Sequence, residues 1–159
     1  MPPRYKAVFI DTSCFILLSK IKRLQLLKTV FDGVEMITSE IVLNEFGKPL
    51  PTWININHKP DKNYQNLLEL KIDSGEASIL ALALEHGNSL LVLDDLKARQ
   101  LAQRLNLHFT GTLGILLKAK QIKAIPSVQA ELDKIQQTNF RFSKQIYTQI
   151  LNQAGEDSG

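Results

Sequence analysis

Short apolar runs alternate with longer stretches of helical periodicity along this chain. Residues 7–10 (Ala-Val-Phe-Ile) and 90–93 (Leu-Leu-Val-Leu) are unbroken apolar runs, the pattern of strands buried on both faces. Residues 13–20 and 24–31 carry apolar positions at helical spacing, and Asp32-Gly33 stops the second helix. Residues 35–37 read as a weak strand. Thr38 or Ser39 then caps a helix to about Phe46, which Gly47-Lys48-Pro49-Leu50-Pro51 ends. Residues 53–56 alternate as an edge strand would, and a helix over 61–71 follows Pro60. Asp73-Ser74-Gly75 breaks the chain before a strong helix over 76–85, closed by Gly87-Asn88. Residues 96–105 predict a helix with Ala98, Leu101, Ala102 and Leu105 on one face. A third short strand covers 107–110 and a helix 113–122. Ser127 caps another helix after Pro126, and a last one runs over 143–152.

Strands alternating with helices imply a parallel sheet covered on both faces, and the helices from Leu113 onward extend that α/β unit. No internal repeat or low-complexity segment interrupts the 159 residues, so one domain is expected over 1–155, with 156–159 a disordered tail. Hydrophobic residues at 44% and charged residues at 22% are ordinary globular values and permit a sizeable core. A net charge of +3 is compatible with a nucleic-acid partner without requiring one. Cys14 is the one cysteine and sits in an apolar stretch, so it reads as a packed thiol in a reduced, cytoplasmic setting. Met1-Pro2-Pro3-Arg4 does not lead into a secretory apolar region, because Asp11 interrupts the stretch that follows. No apolar run approaches the ~20 residues that span a bilayer, so no membrane role is expected.

Four carboxylates occupy places where a soluble domain would put something apolar. Asp11 closes the first apolar run and Asp94 the second. In a parallel sheet with right-handed crossovers the carboxyl ends of the strands share one edge, where ligands bind, so Asp11 and Asp94 are expected to meet there. Each could alternatively cap the helix that follows it. Glu45 continues the apolar face of Ile41 and Val42, or else snorkels outward near the helix end. Glu76 heads the face carrying Ile79, Leu80 and Ala83, although Asp73-Ser74-Gly75-Glu76 also has capping-box spacing. Of the pair Asp94-Asp95, one caps the helix and the other faces the site; Asp94 closes the strand and is assigned inward.

Thr12 and Ser13 offer hydroxyls beside Asp11, and Thr110-Gly111-Thr112 repeats the theme after the third strand, where plain N-capping is the alternative. Arg99 is placed to touch phosphate or to pair with Asp95 one turn away. His58, His86 and His108 lack metal-ligand spacing and read as surface residues.

Buried carboxylates are costly unless paired or bound to a cation. A convergent set suits a hard divalent metal, Mg²⁺ or Mn²⁺, and in-line displacement at phosphorus, which needs no protein nucleophile. So negative a site needs basic residues elsewhere to carry a polyanion. Lys118, Lys120, Lys123, Lys134, Arg141 and Lys144 form such a series, or else a solvated helical face.

The ordered set Ile10-Asp11-Thr12-Ser13, Glu45, Gly75-Glu76-Ala77 and Leu93-Asp94-Asp95 resembles the PIN domain. More narrowly, Asp73-Ser74-Gly75-Glu76-Ala77, Asp94-Asp95-Leu96-Lys97-Ala98-Arg99, Thr110-Gly111-Thr112-Leu113-Gly114 and Ile125-Pro126-Ser127-Val128 resemble a prokaryotic branch related to VapC-type toxins. The resemblance spans about residues 5–155. It implies a three-layer α/β/α sandwich around a mainly parallel sheet with extra C-terminal helices. It also implies a Mg²⁺- or Mn²⁺-dependent ribonuclease, in many relatives the toxin of a type II toxin–antitoxin pair silenced by a small antitoxin protein.

By the motif, Asp11, Glu45, Glu76 and Asp94 take the family's acidic positions, with Asp95 a further metal ligand. Thr12, Ser13, Arg99, Thr110 and Thr112 become substrate contacts. RNA is the expected partner, and an oligomer of identical chains the expected assembly. The chain departs from the commoner pattern in having Glu76 where Asp is usual, and in offering Asp95 or the Thr110-Gly111-Thr112 hydroxyls where a further acid often stands.

The alternatives are a non-catalytic nucleic-acid-binding protein or a free-standing RNA-processing protein on the same fold. A haloacid-dehalogenase-like phosphatase needs a second Asp where Ser13 stands. A receiver-like phosphoacceptor domain wants its acidic pair after the first strand, whereas here the pair is Asp94-Asp95.

Overall fold

A computed structural model describes residues 5–59, 61–140 and 142–156. Met1-Pro2-Pro3-Arg4, Pro60, Arg141 and residues 157–159 lie outside the described residues, and with them part of the expected basic series and most of the expected tail. The described chain divides into two compact units, residues up to Ile16 with 33–111, and residues 17–32 with 112–156.

In the first unit five strands form one sheet: β1 (Ala7–Ile10), β2 (Glu35–Ser39), β3 (Ile54–Asn57), β4 (Ser89–Val92) and β5 (His108–Thr110). Their order is β3-β2-β1-β4-β5 and every pairing is parallel. The α/β/α class read from the sequence holds, with the sheet parallel throughout. β1 lies at its centre and all four of its residues are buried, as an unbroken apolar run requires. β3 is an edge strand, as its alternation predicts.

β2 runs two residues past its expected end. Thr38 and Ser39 pair with Ile56 and Asn57 of β3, and the Thr38 hydroxyl donates to the Ile10 carbonyl at 2.7 Å. The order reverses direction between β1 and β4. α5 (Ser74–His86) packs along β1, β2 and β4, α6 (Leu96–Arg104) packs on β5, and α3 (Glu40–Phe46) packs on β2, β3 and α5, its last turn meeting the start of α5 through Glu45 and Gly75. α4 (Lys62–Leu68), capped by Asp61, packs on α5.

In the second unit the end of α1 (Thr12–Lys20) joins α2 (Leu26–Val30), α7 (Thr112–Gln121), α8 (Val128–Gln136) and α9 (Lys144–Gln153). α7 packs on α2, α8 and α9 around Leu27, Ile115, Leu116, Leu132 and Leu151. Ser127 caps α8 and Ser143 caps α9, as their positions predict.

Glu156 corrects the expected tail, which was to begin there. Its carboxylate accepts Lys120 Nζ at 2.8 Å, Ser127 Oγ at 2.9 Å and the amides of Val128 at 2.6 Å and Gln129 at 3.1 Å. A helix N-terminus leaves such amides unpaired, and an anion satisfies them. Burial alone would raise this carboxyl, but Lys120, the two amides and Ser127 outweigh it and hold it down at about 2. A depressed acid adds stability above its unfolded value, near 4.5, that is lost as pH falls toward 2. Glu156→Gln is expected to destabilise the protein by about 2 kcal/mol at pH 7 and to flatten its melting profile between pH 5 and 3. A variant that melts with the parent at every pH would show the contacts to be idle.

Candidate functional site: acids at the carboxyl edge of the sheet

The site lies within the first unit, where β1 and β4 end side by side. Ile10 is in register with Val92, Asp11 N–H donates to the Val92 carbonyl at 3.2 Å, and Leu93 N–H donates to the Thr110 carbonyl at 2.9 Å. Asp11 and Asp94 thus leave adjacent strands at the point where the sheet order reverses, the place where open α/β sheets bind ligands.

The two hydroxyls after Asp11 each take one acid. Thr12 Oγ1 donates to Glu45 Oε1 at 2.7 Å, and Ser13 Oγ donates to Asp94 Oδ2 at 2.9 Å. Asp95 caps α6 through the Ala98 amide at 3.0 Å, and Asp94 accepts the Ser13 hydroxyl. Glu45 takes the outward alternative: it is exposed where Val42 is buried, lying in the last turn of α3 and reaching back to Thr12. Its carboxylate lies over Gly75, where any Cβ would overlap Oε1.

Glu76 completes the capping box at the start of α5, its amide donating to Asp73 Oδ1 at 2.9 Å. The local and functional readings of Glu76 therefore coexist. Asp11 is 5% exposed and Glu76 9%. Burial, then the charges of Asp73, Glu45 and Asp94, raise the Asp11 carboxyl to about 7 against one lowering hydrogen bond from the Thr12 amide. Burial, then Asp73, Asp95 and Asp11, raise Glu76 to about 8 against the Asp73 amide. The Asp73 charge raises both carboxyls, and it is a site residue that its capping spacing concealed. A cavity of about 310 Å³ beside it is lined by Asp73, Glu76 and Asp95 together with Lys71 and Lys97, two cations the sequence did not single out.

Arg99 does not pair with Asp95. Its Nε donates to the Leu93 carbonyl at 2.7 Å and its guanidinium lies 5.3 Å from the centre of the Phe109 ring, where carbonyl and ring hold it against the end of β4. Gly111 makes room for it: a Cβ there would overlap Arg99 Nη2 and come within 2.9 Å of Asp94 Oδ1. Thr110 is half-buried at the end of β5. Thr112 is fully buried at the start of α7 in the second unit, so as placed it presents no surface to a substrate. The histidines are exposed: His58 pairs with Glu40 at 3.0 Å, His86 meets the Phe9 ring edge-on and His108 lies against Tyr5. Cys14 is buried, as a packed thiol.

Among the described residues no three His, Cys, Asp or Glu side chains stand close enough to hold a metal ion as they are placed. The expectation that Asp11, Glu45, Glu76, Asp94 and Asp95 form a ready ligand set is corrected to that extent. Glu45, Asp94, Glu76 and Asp95 each accept a neighbouring hydroxyl or amide. The donor chemistry still suits a hard divalent cation: the acids supply only oxygen, and two are buried where a bare charge is disfavoured.

Among the described residues no helix is long and apolar enough to cross a membrane. A comparison with curated proteins gives no match. A protein-family profile described as PIN domain matches residues 7–156, nearly the whole chain and every acid of this site. The chain belongs to the PIN domain family, whose members are in general nucleases and typically use divalent metals.

Proposed function

We propose that this protein is a Mg²⁺- or Mn²⁺-dependent endoribonuclease of the cytoplasm, the toxin of a type II toxin–antitoxin pair, working as an oligomer of identical chains and silenced by a small antitoxin protein. The observation that carries the nuclease reading is the meeting of Asp11 and Asp94 at the ends of adjacent strands, with Glu76 buried nearby and raised in pKa. Asp11, Glu45, Glu76 and Asp94 would hold the cation, with Asp95 and Asp73 beside them. A bound Mg²⁺ or Mn²⁺ supplies charge neutralisation at phosphorus and activation of water for in-line attack. The chain's own part is orientation. Ser13 fixes Asp94, Thr12 fixes Glu45 over Gly75, and Asp73 fixes Glu76. Arg99, with Nε committed to Leu93, holds its Nη groups at Gly111 beside Asp94, and Lys71 and Lys97 face the adjacent cavity. These cations suit phosphate oxygens. The toxin role, the antitoxin and the preference for RNA rest on the motif resemblance to VapC-type proteins.

A second reading is nucleic-acid binding without turnover, with Arg99, Lys71 and Lys97 holding phosphate beside the acids. Incubation of purified protein with single-stranded RNA separates the two. Cleavage in Mn²⁺, stopped by EDTA and yielding 5′-phosphate ends, is expected; intact RNA at micromolar protein favours the binding module.

A further inference from the structure

The second unit carries a groove of about 420 Å³ that shares no residue with the acidic site. Lys20, Lys22, Arg23, Lys134, Gln137 and Thr138 line it. Lys20, Lys22 and Arg23 form a short basic run at and just after the end of α1, and Lys134, more than a hundred residues later, joins them only in the folded chain. It is organised by Glu131, whose side chain is 1% exposed. That carboxylate accepts Arg23 Nε at 2.6 Å and Lys134 Nζ at 3.1 and 3.3 Å. Four cations against one carboxylate leave three positive charges uncompensated by this cluster.

The arrangement differs from a solvated basic face in two ways. With Nε committed to Glu131, the Arg23 guanidinium is oriented, and its two Nη nitrogens make no hydrogen bond to any described residue. An oriented fork with free donors matches the oxygens of a phosphodiester. Lys22 has φ of 58°, the left-handed region that a residue with a side chain enters at a cost of about 1 kcal/mol. Its amide donates to the Ser19 carbonyl and that of Arg23 to the Leu18 carbonyl, so the chain turns at Lys22 and both neighbouring cations line one groove.

We propose that this groove binds the phosphate backbone of single-stranded RNA independently of metal. The choice of RNA rests on the proposed function; the phosphate chemistry does not.

The test uses the full chain in EDTA with a fluorescein-labelled twelve-nucleotide oligouridylate, titrated at several salt concentrations. Lys20→Gln/Lys22→Gln removes two exposed cations that have no ion-pair partner among the described residues. Affinity is expected to fall roughly tenfold, and the slope of log affinity against log salt to shrink by about 1.4, at 0.7 per phosphate contact on a single strand. Arg23→Lys keeps a cation for Glu131 but removes the Nη fork, and is also expected to weaken binding. Unchanged affinity and slope in both variants would overturn the proposal. So would displacement of the oligonucleotide by millimolar inorganic phosphate with the slope unaltered, which would make the groove a small-anion site. Cleavage in Mn²⁺ is scored separately. Variant-sensitive binding without cleavage supports the groove and sinks the nuclease reading, whereas cleavage with variant-insensitive binding sinks the groove alone.

Discussion

Asp11→Asn and Asp94→Asn are each expected to reduce Mn²⁺-dependent RNA cleavage by about 10³-fold or more, several kcal/mol of transition-state stabilisation, without loss of the fold. Asn keeps the size of the side chain and removes the charge a cation needs. Asp11 is central because Glu45, Asp73, Asp94 and Glu76 all act electrostatically on it or feel it. The supporting hydroxyls carry a smaller expectation. Ser13→Ala removes the hydroxyl that Asp94 accepts and should cost roughly 10–100-fold, the usual scale for a group that orients a ligand. Glu40→Gln is the control: its carboxylate meets His58 at the surface, away from the acids. Single-turnover cleavage of one RNA by the four variants checks this order. Equal activity in Asp11→Asn and the parent would place the chemistry elsewhere or in a contaminant.

Without added metal, the protein is expected to melt highest near pH 5 and to lose stability up to pH 8, the reverse of the usual acid profile. The sign follows from the direction of the shifts. An acid whose folded value lies above its unfolded value imposes no penalty while both states are protonated. Between the two values the unfolded chain has released its proton and the folded chain has not, so each step up in pH favours unfolding. For Asp11 that interval runs from 3.8 to about 7, and for Glu76 from 4.5 to about 8. Asp11 alone, at 1.36 kcal/mol per pKa unit, accounts for on the order of 4 kcal/mol, or on the order of 10 °C in melting temperature. Millimolar Mn²⁺ at pH 8 should restore most of the loss, and Asp11→Asn should flatten the profile and blunt the rescue. Glu156 titrates below this window and does not mask it. A melting temperature that climbs from pH 5 to 8, with or without Asp11, would sink the argument.

The strands and most helices were legible because their signals are local. β1 and β4 are apolar runs, α8 and α9 begin at serines whose hydroxyls accept the expected amides, and Gly47 ends α3 in the left-handed conformation its position suggests. Asp11 and Asp94 were legible for the same reason, since each ends a strand that could only be central. Residues with two local meanings were harder. Asp73 satisfies the start of α5 and also charges the site, and its spacing reports only the first. Helical periodicity placed Glu45 on an apolar face but could not show that a hydroxyl 33 positions earlier draws it outward. Glu156 in a Gly- and Ser-containing end looks like tail, and its partners become visible only when α7 and α8 are folded. Arg99 prefers a carbonyl and an aromatic ring over the acid one turn away, a choice that depends on β5.

Gly75 and Gly111 have a consequence for reading a saturation mutagenesis experiment. Both are empty volume at a carboxylate: Glu45 fills the space above one, and Arg99 with Asp94 the space above the other. Alanine at either site evicts the flexible end of a side chain rather than backbone, so abundance in cells changes little while function collapses. On a map of mutational sensitivity these glycines would score like the acids themselves, though neither has a side chain to offer the reaction. A search for chemistry by sensitivity alone would count two silent positions among the reactive ones; comparing the activity map with the abundance map shows that they hold space for the acids.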